Sequence, residues 1–267
     1  MNKYTITQFR AEFPNNDICL DYVFKKKYPT VKAYRVKGRK DYADATGKQY
    51  SPLAGTIFEK SSTPLTTWFE AIYLFSVSKN GVSAKELERH FGFTYKTAWR
   101  VAKQIRSLMG NDGNMLSGVI EADETYIGGY RKAGQGGKDK TPVLGLVQRG
   151  GGVRAKVSAR ETHLVLNHIK KNVSKGSAIM SDQFGVYRKV KKLGYGHDSI
   201  NHWKKEFGRG EVHTNTIEGF WSQLKRGLLG TYNGAISSDY LQHYVNEFSF
   251  RYARPSHEIF ASLLAKI

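Results

Sequence analysis

Three acidic residues on separate segments are the side chains whose types and positions can do chemistry. Asp123 and Asp182 each end a short apolar run, and Glu218 lies in a segment whose pattern predicts a helix. Carboxylates brought close together repel one another unless cations neutralise them, and oxygen-only ligands suit Mg²⁺ or Mn²⁺. Two such ions, about 3.5–4 Å apart, can activate a water or a hydroxyl for in-line attack on phosphorus. The acids therefore predict a two-ion site with Asp123, Asp182 and Glu218 as metal ligands.

Each acid also has an ordinary structural interpretation, because a single Asp at a strand end usually caps a helix or closes a turn. Glu121 competes as a ligand, since alternation along a strand places it on the same face as Asp123. The ordered set of acids together with Lys225 favours the metal site. Lys225 follows Glu218 by almost two helical turns, so the two side chains point the same way.

The chain is strongly basic, with 42 Lys and Arg against 23 Asp and Glu and a net charge of +19 in 267 residues. A net charge so far from zero indicates a polyanionic partner, most often nucleic acid. The alternatives are that the charge only keeps the protein in solution or that the protein associates with ribosomes. Basic residues recur along the whole chain among aromatic ones, which favours nucleic acid. We expect Lys225, with Arg226 beside it, to hold a DNA phosphate or a terminal base.

Cys19 is the only cysteine, so the chain can form neither an internal disulfide nor a four-cysteine zinc site. The first residues contain no apolar signal core, and no stretch reaches the roughly 18 apolar residues of a membrane span. We therefore expect a cytoplasmic protein, nucleoid-associated if bacterial, with no membrane partner.

The elements that must position these residues fall into three predicted parts. Residues 1–60 form a small β-rich unit with little core of its own, and residues 61–110 are helical. A polar, glycine-containing linker at 110–114 is the expected boundary before a third part, residues 115–267, which mixes strands and helices.

The helical part has the pattern of a helix-turn-helix. Ser83 and Thr94 are placed to cap two successive helices, separated by a short turn that contains glycine. The second of these helices carries the basic residues that we expect to contact DNA, namely Lys96, Arg100 and Lys103. A plain three-helix bundle with a solvated basic face is the alternative.

In the third part the predicted order is β-β-β-α-β-α-β-α, which matches the ribonuclease H topology and predicts an α/β (α+β) fold. In such a sheet the strands that end at Asp123 and Asp182 are neighbours, so both carboxylates would meet at one edge. Glu218 would then complete the cluster from the following helix.

The motifs of the chain resemble those of the DDE transposases of insertion-sequence family fifteen-ninety-five. The resemblance extends over nearly the whole chain and includes the helix-turn-helix and residues 51–58. The four motifs are residues 121–129, 181–182, 213–227 and 246–252. The first and third of these are long and specific.

The resemblance implies a catalytic domain that cleaves DNA at the ends of a mobile element and joins it to a target. Asp123 and Asp182 match the two family aspartates. Some members use Asn as the third ligand, and Asn215 lies one turn before Glu218. We favour Glu218, because a carboxylate neutralises metal charge better and its spacing to Lys225 fits. The resemblance also implies a homodimer or higher multimer on DNA.

The chain departs from the family at its N-terminus. The family often has a zinc ribbon with paired cysteines, whereas this chain keeps only Cys19, and residues 42–47 stand where a cysteine pair is expected. We predict no zinc and a degenerate, zinc-ribbon-like β unit. The leading hypothesis is an active transposase. The alternatives are a DNA-binding protein derived from a transposase, without need of catalysis, and a ribonuclease-H-like nuclease.

Overall fold

The structure is a computed structural model, and it describes residues 4–110, 113–128, 140–159, 161–182, 185–200, 210, 212–234, 236–252 and 254–267. The chain divides into two compact units, and each is described by itself. The first is Met1–Leu108 together with Pro255–Ile267, and the second is Met109–Arg254. No helix among the described residues is long and apolar enough to span a membrane.

The described helices alternate with two sets of strands, so the predicted mixture of α and β structure is confirmed. The helices are α1 (Ile6–Glu12), α2 (Asn16–Lys27), α3 (Leu65–Val77), α4 (Ala84–Phe91), α5 (Tyr95–Ser107), α6 (Thr162–Asn172), α7 (Asn215–Gly230), α8 (Ser238–Tyr252) and α9 (Ser256–Leu264). The strands are β1 (Tyr34–Arg35), β2 (Tyr42–Ala43), β3 (Gln49–Tyr50), β4 (Val119–Ile127), β5 (Thr141–Gln148), β6 (Val153–Val157), β7 (Ala178–Ser181) and β8 (Gly196–Ser199).

In the first unit, β1, β2 and β3 form a small antiparallel sheet. Asp44 organises its second turn: Oδ1 accepts from the backbone N–H groups of Thr46 at 2.9 Å and Lys48 at 3.2 Å, and Oδ2 from the Tyr50 hydroxyl at 2.8 Å. The side-chain hydrogen bond from Thr46, more than any other contact, lowers the pKa of Asp44 to about 2. Hydrogen bonds thus hold the turn where the resemblance leads one to expect a cysteine pair.

Cys19 is buried in α2, and burial raises its thiol pKa to about 12.

Helix α9 belongs to the first unit, although the sequence placed residues 255–267 with the third part. Its Phe260 ring contacts Tyr73 of α3 and Phe9 of α1, with centroids 6.1 and 5.9 Å apart. The small sheet also packs on a helix of the same unit, because Tyr42 of β2 stacks on Phe24 of α2 with ring centroids 4.0 Å apart. Residues 4–108 and 255–267 lie in one compact unit, in which aromatic residues of α1, α3 and α9 contact one another.

In the second unit, the described strands form a mixed sheet in the order β6-β5-β4-β7-β8. Strands β4, β5 and β6 run antiparallel as a meander, whereas β4, β7 and β8 are parallel. Helices cover both faces of this sheet. One face packs on α6, and its buried residues include Ile120, Ala122, Leu144, Leu146, Val165 and Ile169. The other packs on α7 and α8, and its buried residues include Val143, Val147, Val153, Ile217, Leu224 and Val245.

The second helix of the predicted β-β-β-α-β-α-β-α order, which follows β7, is not an α-helix. The structure has a 3-10 helix over Tyr187–Leu193. Tyr187, Val190 and Leu193 recur every third residue and pack toward the sheet. A helix with three residues per turn aligns such positions on one side, so this spacing favours 3-10 over α geometry.

Candidate active site

Asp123 and Asp182 lie at adjoining positions of two parallel strands. The last recorded pair between β4 and β7 joins Ala122 to Ser181, and each aspartate is the next residue of its strand or just beyond it. Burial, with smaller contributions from the nearby carboxylates of Asp182 and Glu218, raises the pKa of the Asp123 carboxyl to about 6. The structure therefore brings the three acids within electrostatic range of one another.

Glu218 lies in the first turn of α7, which begins at Asn215. Both side chains are exposed. Oε1 of Glu218 accepts a hydrogen bond of 2.9 Å from the hydroxyl of Thr214, the residue before the helix. Lys225 and Arg226 are exposed further along the same helix. As predicted, one helix carries an acid near the aspartates and two cations beyond it.

Glu121 is completely buried, and both of its carboxylate oxygens accept hydrogen bonds. Oε2 accepts from the backbone N–H of Ile217 at 2.9 Å, and Oε1 from the Thr216 hydroxyl at 2.8 Å. Arg149 Nε donates to Oε1 at 2.7 Å in an ion pair. The first N–H groups of a helix have no partner within the helix. Glu121 therefore satisfies one of them and fastens the start of α7 to β4.

His213 joins the same network. Its Nδ1 lies 3.2 Å from Oε1 of Glu121 and 3.1 Å from Nη2 of Arg149, and Arg149 Nη2 also donates to the His213 carbonyl oxygen at 3.1 Å. The segment that leads into α7 is thus tied to the guanidinium that pairs with Glu121.

Trp221 makes a second connection between α7 and β4. Its indole Nε1 donates a hydrogen bond of 3.0 Å to Oδ2 of Asp123. The indole lies against Gly145 of β5, which pairs with Asp123, and a Cβ at Gly145 would come within 2.4 Å of the ring. Sequence reasoning missed both residues. The signal was present for Trp221, which lies three residues after Glu218 and so near it on the helix surface.

The oxygen donors of Asp123, Asp182 and Glu218 fit Mg²⁺ or Mn²⁺ by their chemistry. A cation beside Asp123 would also offset the like charges that raise its pKa. In the described part of the chain, however, no three His, Cys, Asp or Glu side chains lie close enough to hold one ion. Oε1 of Glu218 accepts from the Thr214 hydroxyl, so shared coordination would use Oε2 or a different rotamer of the side chain.

The basic residues of α5 differ in how they are held. Lys96 is exposed, whereas Arg100 is half-buried and donates from Nη2 to the Ser61 and Thr63 hydroxyls, both at 3.4 Å. Lys103 is half-buried, with its Nζ 5.3 Å from the centroid of the Trp99 ring. Lys96 is therefore the most accessible of the three. The turn before α5 contains Gly92 in the left-handed region, with φ of 68°.

Comparison with solved structures adds little about the fold. The cryo-EM structure of the simian T-cell lymphotropic virus intasome in complex with PP2A regulatory subunit B56 gamma is 14% identical and covers 68% of this chain, with a TM-score of 0.32. This chain spans 64% of that one, which is less than two thirds. A score that low carries no structural argument.

Sequence comparison is more informative. An uncharacterized protein in transposable element ISH50 of Halobacterium salinarum is 26% identical over 241 residues, which cover 81% of this chain and 80% of that protein. The model of the ISXO2-like transposase domain matches residues 115–253, more than half of the chain, and this span contains all three acids. The chain therefore belongs to the ISXO2-like transposase family.

Proposed function

We propose that this protein is the transposase of an insertion sequence, which binds the element's terminal repeats and catalyses metal-dependent DNA cleavage and strand transfer. The observation that carries the proposal is the placement of Asp123 and Asp182 at adjoining ends of parallel β4 and β7. Glu218 lies near them, and the whole arrangement falls in a transposase-family domain. The strand order β6-β5-β4-β7-β8 supports a ribonuclease H-like catalytic domain.

In this proposal Asp123, Asp182 and Glu218 are the catalytic residues and hold two Mg²⁺ or Mn²⁺ ions. When bound, the ions would activate the attacking oxygen and stabilise the leaving oxygen. The protein positions the three carboxylates, and Trp221 orients that of Asp123. Asn215 is the alternative third ligand, since it is exposed one turn before Glu218. Glu121 is a positioning residue, because its oxygens are engaged by α7 and Arg149.

DNA is the proposed partner, and two exposed basic surfaces support it. Lys225 and Arg226 follow the acid on α7, and Lys96 lies on the second helix of the proposed helix-turn-helix. Arg100 and Lys103 would contribute at its border, where intramolecular contacts hold them. We further propose that the degenerate zinc-ribbon-like unit works without zinc, and that a dimer or higher multimer assembles on paired ends in the cytoplasm.

The test uses purified protein, Mg²⁺ and a duplex that carries the terminal repeats flanking the gene. Wild type should nick this duplex and join its ends to a second DNA, whereas Asp123→Asn, Asp182→Asn and Glu218→Gln should each lose at least a hundredfold in rate. The matched control is Glu161→Gln, which neutralises an exposed acid before α6. No nicking by wild type would contradict the proposal. Asn215→Ala decides the third ligand, since it should retain activity if Glu218 fills that place.

A second candidate is a DNA-binding protein that does not need catalysis. It is favoured by the observation that no three acids in the described structure are close enough to share an ion. In that case Asp123→Ala would bind DNA as wild type does, and Mg²⁺ would have no effect on function. Excision in cells that depends on Asp182 would rule it out.

Cleavage of generic hybrids or branched DNA as efficiently as of the terminal repeats would instead indicate a ribonuclease-H-like nuclease.

A further inference from the structure

A pocket of about 560 Å³ lies beside β6, the edge strand of the large sheet, with walls from α6 and α8. It contains none of the three acids of the candidate active site. Its size is within the usual range of small-molecule and nucleotide sites, roughly 300–1,000 Å³. The pocket is therefore a separate feature of the second unit that the proposed function does not yet use.

The open edge of β6 is already covered by a side chain. Oε1 of Gln242 accepts from the backbone N–H of Val157 at 2.7 Å, and its Nε2 donates to the Ala155 carbonyl oxygen at 3.2 Å. Nε2 also donates to Oδ1 of Asn246 at 2.7 Å. Since these contacts satisfy the exposed backbone groups, the pocket is not suited to the addition of another strand.

The pocket is lined by cations and hydrogen-bond donors. None of its described lining residues is Asp or Glu, whereas Lys156 and Lys171 are exposed at its border. Arg254 is held in place, with its guanidinium 4.1 Å from the centroid of the Phe250 ring and Nη1 donating to the Phe250 carbonyl oxygen at 2.9 Å. Such a lining attracts anions and repels cations.

A buried hydroxyl adds a specific polar group. Within the described structure, Oγ of Ser249 is buried and has no hydrogen-bond partner, although buried hydroxyls are usually satisfied. Ser249 lines the pocket with Asn246. The positive field is also felt by His168, whose pKa is lowered to about 4, mainly by burial and also by the charge of Lys156.

We propose that this pocket binds a phosphodiester group of DNA, as a contact separate from the catalytic acids. Phosphate oxygens match a described lining that contains Lys156, Lys171 and Arg254 and no acidic residue. The choice of DNA over a free phosphate rests on the proposed function. Ala155 pairs with Gly145, which pairs with Asp123, so β6 lies two strands from the acid, about 10 Å at the usual strand spacing. Lys156, however, pairs with Leu144 on the sheet face that packs on α6, whereas Asp123 contacts Trp221 of α7 on the other face, so the pocket's contact with DNA is separate from the catalytic acids.

The test measures DNA affinity by fluorescence anisotropy with a short duplex of random sequence and no metal, at several salt concentrations. Lys156→Ala with Lys171→Ala should lower the slope of log K against log salt by about 1, because the two lysines hold one phosphate. The matched control, Lys170→Ala with Lys192→Ala, removes the same charge from exposed lysines of the second unit outside the pocket. It should leave the slope nearly unchanged. Equal changes for both pairs would overturn the proposal.

Two further experiments identify the ligand of the pocket. Ser249→Leu fills the pocket without a change in charge and should weaken DNA binding at least fivefold, provided that its circular dichroism matches wild type. Inorganic pyrophosphate tests a free anion: if it raises the wild-type melting temperature while the lysine pair leaves DNA binding intact, the DNA assignment is wrong. Because no cleavage is measured, failure of wild type to nick DNA would contradict the proposed function and leave this result standing.

Discussion

The indole Nε1 of Trp221 donates a hydrogen bond of 3.0 Å to Oδ2 of Asp123, and so joins helix α7 to the strand that carries the first acid of the site. This bond favours the charged carboxylate and opposes the effect of burial, which raises the pKa of Asp123 to about 6. The same helix carries Glu218 one turn earlier. One side chain therefore affects both the orientation and the charge of the site.

Replacing Trp221 with Phe should retain the packing and remove this hydrogen bond. The pKa of Asp123 should then rise above its value of about 6, because the bond that stabilises the carboxylate is lost. The acid limb of the pH–rate profile for nicking should shift to higher pH, and the rate at pH 7 should fall about two- to tenfold. Trp99→Phe, in the other unit, is the control. An unchanged profile for Trp221→Phe would show that the bond does not tune Asp123.

Replacing Glu121 with Gln should break a buried ion pair and leave Arg149 without its charged partner. Such a loss costs about 3–5 kcal/mol of unfolding free energy, which denaturant titration can measure. Adding Arg149→Met should restore part of the stability, because it removes the unpaired charge. Activity should fall with stability, since the start of α7 loses its anchor. If Glu121 were instead a metal ligand, Glu121→Gln would weaken metal binding and leave stability near wild type.

Asp123→Asn should abolish cleavage and yet stabilise the metal-free protein at neutral pH. The folded pKa of Asp123, about 6, lies above its ordinary value of 3.8, so the folded state binds the proton more tightly. Wild-type stability from this group is present below pH 4 and is lost as the pH rises toward 6. Above pH 6 the variant should therefore be more stable by about 2–3 kcal/mol, as measured by denaturation. Mg²⁺ should reduce this difference by stabilising wild type alone.

The stability that depends on His168 should change with pH in the opposite direction to the stability that depends on Asp123. Its Nδ1 accepts from Asn172 at 3.2 Å and its Nε2 donates to the Arg154 carbonyl oxygen at 3.1 Å, an arrangement that requires the neutral ring. Burial lowers the pKa of His168 to about 4 from 6.5, so the unfolded state binds the proton more tightly. Stability is therefore lost as the pH falls from about 6.5 to about 4, by up to about 3 kcal/mol. Comparison with His168→Gln across this range isolates the effect from that of Asp123.

Gly145→Ala should test the close approach of Trp221 to β5. A Cβ at this position would lie 2.4 Å from one indole carbon and 2.5 Å from another, so the ring must move. We expect a loss of about 1–3 kcal/mol in stability and a drop in nicking rate. Gly219→Ala on α7 is the matched control, because a Cβ there meets nothing within 4 Å. That control should be neutral or gain up to about 1 kcal/mol in stability. Similar losses for both variants would contradict the packing argument.

The local sequence pattern was sufficient to predict helices and strands and the positions of the acids along them. Alternation and apolar runs indicated the strands that end near Asp123 and Asp182, and helical spacing placed Glu218 and Lys225 on one helix. The expectation that the strands leading to Asp123 and Asp182 are neighbours agrees with the parallel pairing of β4 with β7. These features depend on neighbours in the sequence or on a family resemblance, so they are readable before the chain is folded.

Contacts between distant residues decided what the sequence left open. Glu121 and Ile217 are 96 residues apart in the sequence and Trp221 and Asp123 are 98 apart, yet each pair forms a hydrogen bond. The local sequence therefore could not distinguish an anchoring glutamate from a metal ligand. The placement of α9 likewise depends on Phe260 meeting Tyr73 far along the chain. The sequence by itself determined which residues are candidates for the chemistry. Only the tertiary structure decided which of them are buried as supports and which remain exposed, because burial depends on how separate elements pack.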